Sequence, residues 1–143
     1  MKLAVGMGCD RGTSLLTLET ALDKALLQIH ATRNDVSVFA SIDKKNDEVA
    51  LLQLAVNEGK PLQFFSAEEL SVVPVPNPSE TVRKYMGTPA VSEAAALLAS
   101  KNELTSKNES AAKIDQHNLL VEKYKYLGTD GKNATVSIAR MGT

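Results

Sequence analysis

The residues best suited to chemistry stand in a loop near the start of the chain, where glycines are mixed with a thiol, a carboxylate and a guanidinium. Gly6, Gly8 and Gly12 interrupt the apolar run before them, and an amphipathic pattern begins at Ser14. A strand, a glycine-rich turn and a helix form half of a βαβ unit, in which free backbone N–H groups face the turn. Arg11 stands where a dinucleotide-binding loop needs its third glycine, and no Walker sequence follows. The sequence favours either an anion-binding loop or a tight turn that needs glycine for backbone reasons alone. The predicted contacts of an anion are Gly8, Cys9, Arg11, Gly12 and Thr13.

Two further segments carry groups that could bind a ligand. Residues 41–48 follow a predicted strand and lead into a predicted helix, and residues 76–93 contain two predicted helix starts. Ligands of parallel α/β sheets bind at the carboxyl ends of the strands, so we expect these segments to meet the opening loop in one site. Their predicted ligand contacts are Asp43, Asn77, Ser79, Gly87 and Thr88.

Three residues are candidates for acid–base or electrostatic roles, and each has a structural alternative. Glu48 could act as a base, or it could simply be an acid at a helix start. Glu93 lies beside small apolar residues, where it could serve the helix dipole or transfer protons as a buried acid. Lys44, like Arg11, could hold a substrate carboxylate or be a solvated surface charge. Cys9 and Ser79 have no neighbouring base in the sequence, which favours structural roles for both.

Composition restricts the class of protein. The chain has 143 residues, 43% of them hydrophobic, which suits one globular domain with its own core. Its 16 basic and 17 acidic residues give no overall field for nucleic acid or membrane, and no apolar run is long enough for a membrane span. The single cysteine and the absence of a signal peptide predict a cytoplasmic protein. The two histidines and the cysteine show no metal-ligand spacing, so we expect neither a metal nor another cofactor.

Periodicity predicts an α/β fold with the order βαβαβαααββ. We expect a single three-layer domain, with a mixed, mostly parallel sheet of about five strands and helices on both faces. Asn46 and Asn77 are predicted helix caps, Gly59 and Gly87 are predicted helix ends, and residues 94–96 suggest close packing against a neighbour. The polar residues 100–117 are predicted to extend a helix that frays into a surface insertion. After the first, the predicted strands are 36–42, 61–65, 119–126 and 134–140. The predicted helices are 14–30, 46–59, a short helix that starts at 66, 79–86 and a helix that starts at 88.

Four segments together resemble one family. Residues 6–13 (GMGCDRGT), 41–48 (SIDKKNDE), 74–79 (PVPNPS) and 87–96 (GTPAVSEAAA) look like the signature stretches of the CbiG C-terminal / CobE domain of cobalamin biosynthesis. The resemblance covers nearly the whole chain in order, and is closest to the free-standing CobE form. The departures are Asp10, where the family commonly has a basic residue, and the polar insertion.

The resemblance implies a role in building the corrin ring, with a precorrin or cobalt-precorrin intermediate as ligand and other corrin-pathway enzymes as further candidate partners. Two hypotheses follow. In the first, the domain binds the intermediate by its acetate and propionate arms. In the second, it resembles the cobalt-precorrin-5A hydrolases, which open a δ-lactone and release acetaldehyde. Glu48 or Glu93 would then be the base, and Lys44 or the loop amides would stabilise the oxyanion.

Overall fold

The order of strands and helices is the one that the sequence predicts. The computed structural model describes residues 1–88, 90–104 and 115–141. Its strands are β1 Leu3–Cys9, β2 Val36–Ile42, β3 Leu62–Phe65, β4 Leu119–Leu127 and β5 Asn133–Arg140. Its helices are α1 Leu15–Leu27, α2 Val49–Glu58, α3 Ala67–Ser71, α4 Glu80–Met86 and α5 Ser92–Leu104. No helix in these ranges is long and apolar enough to cross a membrane.

The five strands form one mixed sheet in the order β3-β2-β1-β5-β4. β1, β2 and β3 pair in parallel, whereas β5 is antiparallel to both β1 and β4. Four of the five strands therefore run in one direction, and their carboxyl ends lie along one edge. This confirms the predicted mixed, mostly parallel sheet.

Helices cover both faces of this sheet, as predicted. The α1 and α2 side chains pack with Leu3, Val5 and Met7 of β1 in one buried cluster. On the opposite face, a second cluster joins Ala4 of β1 to α5 and to Leu70 of α3. Because successive residues of a strand point to opposite faces, β1 contributes to both cores.

Helix α5 lies unusually close to β1. Ala94, Ala95 and Ala96 are fully buried, and a Cβ placed on Gly6 would lie 1.9 Å from the carbonyl oxygen of Ser92. Only glycine fits below the helix backbone at this crossing. The close packing expected from the alanine run is thus confirmed, and β1 is the neighbour.

Two predicted caps are wrong. A 3-10 turn, Asp43–Lys45, follows β2, and α2 begins only at Val49, so Asn46 does not cap it. The cap of α4 is Ser79, whose hydroxyl accepts from the Val82 N–H, whereas Asn77 donates to the Glu122 carboxylate at 2.6 Å. Gly59 and Gly87 do end α2 and α4 in the left-handed conformation, with φ of 66° and 79°.

Most of the predicted polar insertion lies outside the described residues. Residues 100–104 belong to α5, and residues 116–118 form a short 3-10 turn before β4. The core of the segment, 105–114, is not among the described residues.

One carboxylate ties the loop between β4 and β5 to the start of α1. Asp130 accepts from the Ser14 backbone N–H and the Thr17 hydroxyl, each at 2.9 Å, and from the Lys132 N–H at 3.1 Å. These bonds, led by that from Ser14, lower the pKa of Asp130 from 3.8 to about 2. The charged form of Asp130 therefore stabilises the folded chain.

We expect this stabilisation to disappear in acid. Between about pH 4 and pH 2 the unfolded chain binds more protons at Asp130 than the folded chain does, so the stability that it contributes falls as pH falls. The melting temperature of Asp130→Ala should lie below that of the parent chain at pH 6, and the difference should shrink towards zero near pH 2. A difference of the same size at both pH values would contradict this account.

Candidate functional site

A cleft of about 380 Å³ opens at the carboxyl end of β1. Here the chain leaves β1 for α1 on one face of the sheet, while α5 crosses β1 on the other face. Such a change of face at a strand end is where open α/β sheets commonly bind their ligands. The cleft therefore lies at the edge of the sheet that the sequence predicts.

The walls of the cleft come from four parts of the fold. The end of β1 contributes Gly8 and Cys9, and the segment before α5 contributes Ala90 and Val91. One side is mainly helix α4 and the other is the β4–β5 hairpin. Those two sides are lined by Ser79, Thr81, Val82, Tyr85 and Met86, and by Lys123, Lys125, Asn133 and Thr135.

Glu93 is the buried acid of this cleft. It is 1% exposed, and its Oε1 accepts from the Ser92 hydroxyl at 3.1 Å. Its Oε2 lies 3.2 Å from the Lys123 Nζ as an ion pair, but it accepts no aligned hydrogen bond from the described residues. Buried carboxylate oxygens are normally hydrogen-bonded, so Oε2 retains the capacity to accept a proton or a donor from a ligand.

A pair of serines holds Glu93 in place. The Ser137 Oγ of β5 lies 2.8 Å from the Ser92 Oγ and 2.6 Å from the carbonyl oxygen of Glu122. Both hydroxyls are buried, so this chain of hydrogen bonds links the first turn of α5 to the two strands of the hairpin. It fixes the orientation of the carboxylate against the sheet.

Cys9 belongs to the cleft wall, but its side chain packs against the core on the α1 side of the sheet, and it is a thiol rather than a thiolate. Burial raises its pKa, and the nearby Lys45 ammonium only partly opposes this effect. A thiol is a weak nucleophile. The environment of Cys9 thus agrees with the structural role that the sequence favours.

Arg11 and Glu48 are partners of each other and do not line this cleft. The Arg11 guanidinium contacts Asp47, lies 3.1 Å from the Glu48 Oε2, and donates to the Lys44 carbonyl at 2.8 Å. Its hydrogen bond to Asp47 lowers the pKa of that carboxyl. The second oxygen of Glu48 accepts from the Gly12 N–H at 2.9 Å. These contacts do not support Glu48 as a base, since both of its oxygens already have donors.

Several other predicted contacts are also used inside the fold. The Thr13 hydroxyl donates to the Asp10 carbonyl at 2.6 Å, and the fully buried Thr88 hydroxyl donates to the Ala90 carbonyl at 3.2 Å. Asp43 is exposed, and Gly87 forms the end of α4. The structure places none of them in the cleft wall.

The three predicted segments meet only in part. The first and the third share the cleft, to which they contribute Gly8, Cys9, Ser79 and Glu93. The second lines no part of the cleft, and its Lys44 Nζ contacts one wall residue, 3.4 Å from the Met86 carbonyl oxygen. Residues of the second segment line a separate groove, with Gly12 and Thr13, between the starts of α1 and α2.

Sequence reasoning missed the two lysines of the cleft. Lys123 and Lys125 alternate with Tyr124 and Tyr126, which pack on the α1 side of the sheet. This alternation is visible in the sequence and predicts that both lysines share one face of a strand. It does not tell which face borders a ligand site. Among the described residues no group of three His, Cys, Asp or Glu side chains could hold a metal ion.

Comparisons with known proteins point to one family. The family model described as Cobalamin synthesis G C-terminus matches residues 3–139. A cobalt-precorrin-5A hydrolase of Priestia megaterium is 41% identical over 96 residues, which are 67% of this chain and 26% of that protein. Protein CobE of a Sinorhizobium species is 32% identical over 103 residues, which are 71% of this chain and 67% of that protein.

A solved structure supports the same relationship. The crystal structure of CobE, a protein from the cobalamin (vitamin B12) biosynthetic pathway, superposes with a TM-score of 0.75 at 26% identity. The match covers 96% of this chain and 93% of that one. By contrast, the chain spans only about a quarter of the length of the Priestia hydrolase.

Proposed function

Because this chain belongs to the Cobalamin synthesis G C-terminus family, we propose that it binds a precorrin-type tetrapyrrole intermediate of cobalamin biosynthesis in the cleft at the end of β1. Other enzymes of the pathway are candidate partners for receiving this ligand.

The observation that carries the proposal is the pairing of cations with an apolar wall. Lys123 and Lys125 line one side of the cleft, and Val82, Tyr85 and Met86 line the other. A precorrin is complementary to this combination, because the edge of its apolar ring carries anionic acetate and propionate arms. Lysine ammonium groups bind such carboxylates, and apolar side chains bind the ring edge.

The volume of the cleft limits how much of the ligand it encloses. Pockets that hold whole small molecules range over about 300–1,000 Å³, and this cleft is near the lower end at about 380 Å³. It therefore suits one edge of a four-ring macrocycle, with one ring and its two arms inside.

We expect Lys125→Met to weaken binding of precorrin-5, or of its cobalt form, by about tenfold, since one charge-assisted hydrogen bond is lost. The dissociation constant is measured from the change in the pigment's absorbance. Lys24→Met, on the exposed side of α1, removes the same charge away from the cleft and should leave binding unchanged. If the protein at micromolar concentration changes the absorbance of neither pigment, the proposal is contradicted, and a purely protein-binding subunit is favoured.

Hydrolysis of the precorrin-5A lactone is the second candidate function. It is favoured by Glu93 Oε2, a buried carboxylate oxygen that accepts no hydrogen bond from the described residues. Water attacks the lactone carbonyl while Glu93 accepts its proton, and Lys123 stabilises the oxyanion. The ring C–O bond then breaks, and Glu93 returns the proton to the departing oxygen. This leaves an alcohol and a carboxylic acid, which loses its proton to solvent and becomes a carboxylate. Acetaldehyde leaves when that alcohol loses its proton and its C–C bond to the macrocycle breaks, with the electron pair passing to the macrocycle.

A further inference from the structure

Lys123 has only one partner among the described residues, and that partner is incompletely satisfied. The Lys123 side chain is 17% exposed and its Nζ lies 3.2 Å from Glu93 Oε2. An ammonium has three N–H donors, whereas this contact occupies one at most and is not aligned as a hydrogen bond. Apart from the Ser92 hydroxyl bond to Glu93 Oε1, the pair has no additional hydrogen bond from the described side chains to offset the cost of burying two charges.

Lys125 differs from Lys123 in a way that makes it a natural reference. Both line the cleft from the same face of β4, two residues apart, so their Cβ atoms are roughly 7 Å apart. Lys125 is exposed and forms no ion pair with the described residues. A ligand carboxylate can therefore approach Lys125 directly, but at Lys123 it must compete with Glu93.

We propose that Lys123 exchanges partners on binding, from Glu93 in the free protein to a carboxylate of the bound tetrapyrrole. This inference rests on the proposed function and concerns the same cleft. Glu93 then weakens the binding of carboxylate-bearing tetrapyrroles, and the bound carboxylate releases Glu93 from its cation. Opening of a lactone creates such a carboxylate beside Glu93, so the exchange also places the product on Lys123.

The exchange has an unusual consequence for affinity. Removal of the Glu93 charge should strengthen binding, because Lys123 no longer gives up an ion pair. We expect Glu93→Gln and Glu93→Ala each to bind uroporphyrin, which carries an acetate and a propionate on every ring, about tenfold more tightly than the parent chain. Titrations followed by absorbance give the dissociation constants, and thermal unfolding verifies that each variant is folded.

A double-mutant cycle separates this effect from a general change of charge. Lys123→Met should weaken binding, and Glu93→Gln should have no strengthening effect in its presence, since the two residues act on each other. Lys125→Met should weaken binding by the same factor with either residue at position 93. Additive effects of Glu93→Gln and Lys123→Met would overturn the exchange.

The outcomes also separate this inference from the proposed function. Uroporphyrin binding that is unchanged or weaker in folded Glu93→Gln and Glu93→Ala overturns the exchange and leaves tetrapyrrole binding standing. If neither uroporphyrin nor precorrin-5 binds to any form, the proposed function fails and the exchange fails with it.

Discussion

Under the proposed lactone hydrolysis, Glu93→Gln is expected to lower acetaldehyde release from cobalt-precorrin-5A by about 10²- to 10⁴-fold, the usual contribution of a positioned general base. Gln has nearly the same shape as Glu, and its amide can still interact with the Ser92 hydroxyl, but it cannot accept the proton of the attacking water. Glu93 is the buried carboxylate in the cleft wall, and its Oε2 accepts no hydrogen bond from the described residues. The measurement is the initial rate of acetaldehyde formation by the purified chain.

Comparing turnover with uroporphyrin binding shows whether a loss of turnover in Glu93→Gln is due to unfolding. A variant that unfolds loses turnover and binding together, whereas Glu93→Gln should lose turnover and bind uroporphyrin more tightly. The matched substitution is Glu48→Gln, at the other acid that the sequence offers as a base. If folded Glu48→Gln loses acetaldehyde release while Glu93→Gln retains it, the general base is Glu48, in the groove between α1 and α2, and not Glu93. No release by the parent chain would contradict the hydrolase function and leave the binding function.

Gly6→Ala is expected to lower the free energy of unfolding by about 3 kcal/mol or more, at the upper end of the usual cost of overpacking. The added Cβ would meet the Ser92 carbonyl oxygen at 1.9 Å and the Ala96 nitrogen at 2.7 Å. Both are backbone atoms of α5, so no side chain can rotate away to make room, and the helix itself must move. Urea unfolding gives the change in stability.

Gly8→Ala is the matched control for this substitution. Gly8 lies two residues further along β1, so its Cβ would point to the same face, where the nearest atom is the Val91 Cγ1 at 3.8 Å. That distance is an ordinary van der Waals contact, and we expect the stability to change little. Equal, small effects of the two substitutions would show that α5 does not rest on β1 at Gly6.

The same crossing couples stability to the site. Ser92 and Glu93 form the first turn of α5, directly above Gly6. A helix displaced by Ala at position 6 carries the Glu93 carboxylate away from Lys123. Gly6 is thus a position where the fold and the cleft depend on the same contact.

The candidate site was predictable only where a residue's neighbours in sequence also determine its surroundings. Gly8, Cys9, Ser79 and Glu93 belong to segments placed by strand ends and helix starts, and the structure brings them into one cleft. Arg11 and Glu48 are separated by 37 residues. Their mutual pairing removes both from the cleft, and nothing in the local pattern around either residue indicates it.

Sequence patterns alone predict the order of strands and helices, the bounds of β2, the ends of α2 and α4, and the presence of helices on both faces. These features follow from the side-chain periodicity of strands and helices, which repeats every two, three or four residues and can be recognised in a short segment of sequence. The position of β5 between β1 and β4, which brings Lys123 of β4 to Glu93 of α5, is evident only from the three-dimensional arrangement. That contact depends on the pairing of strands distant in sequence and on where α5 crosses the sheet, and side-chain periodicity carries no information on either.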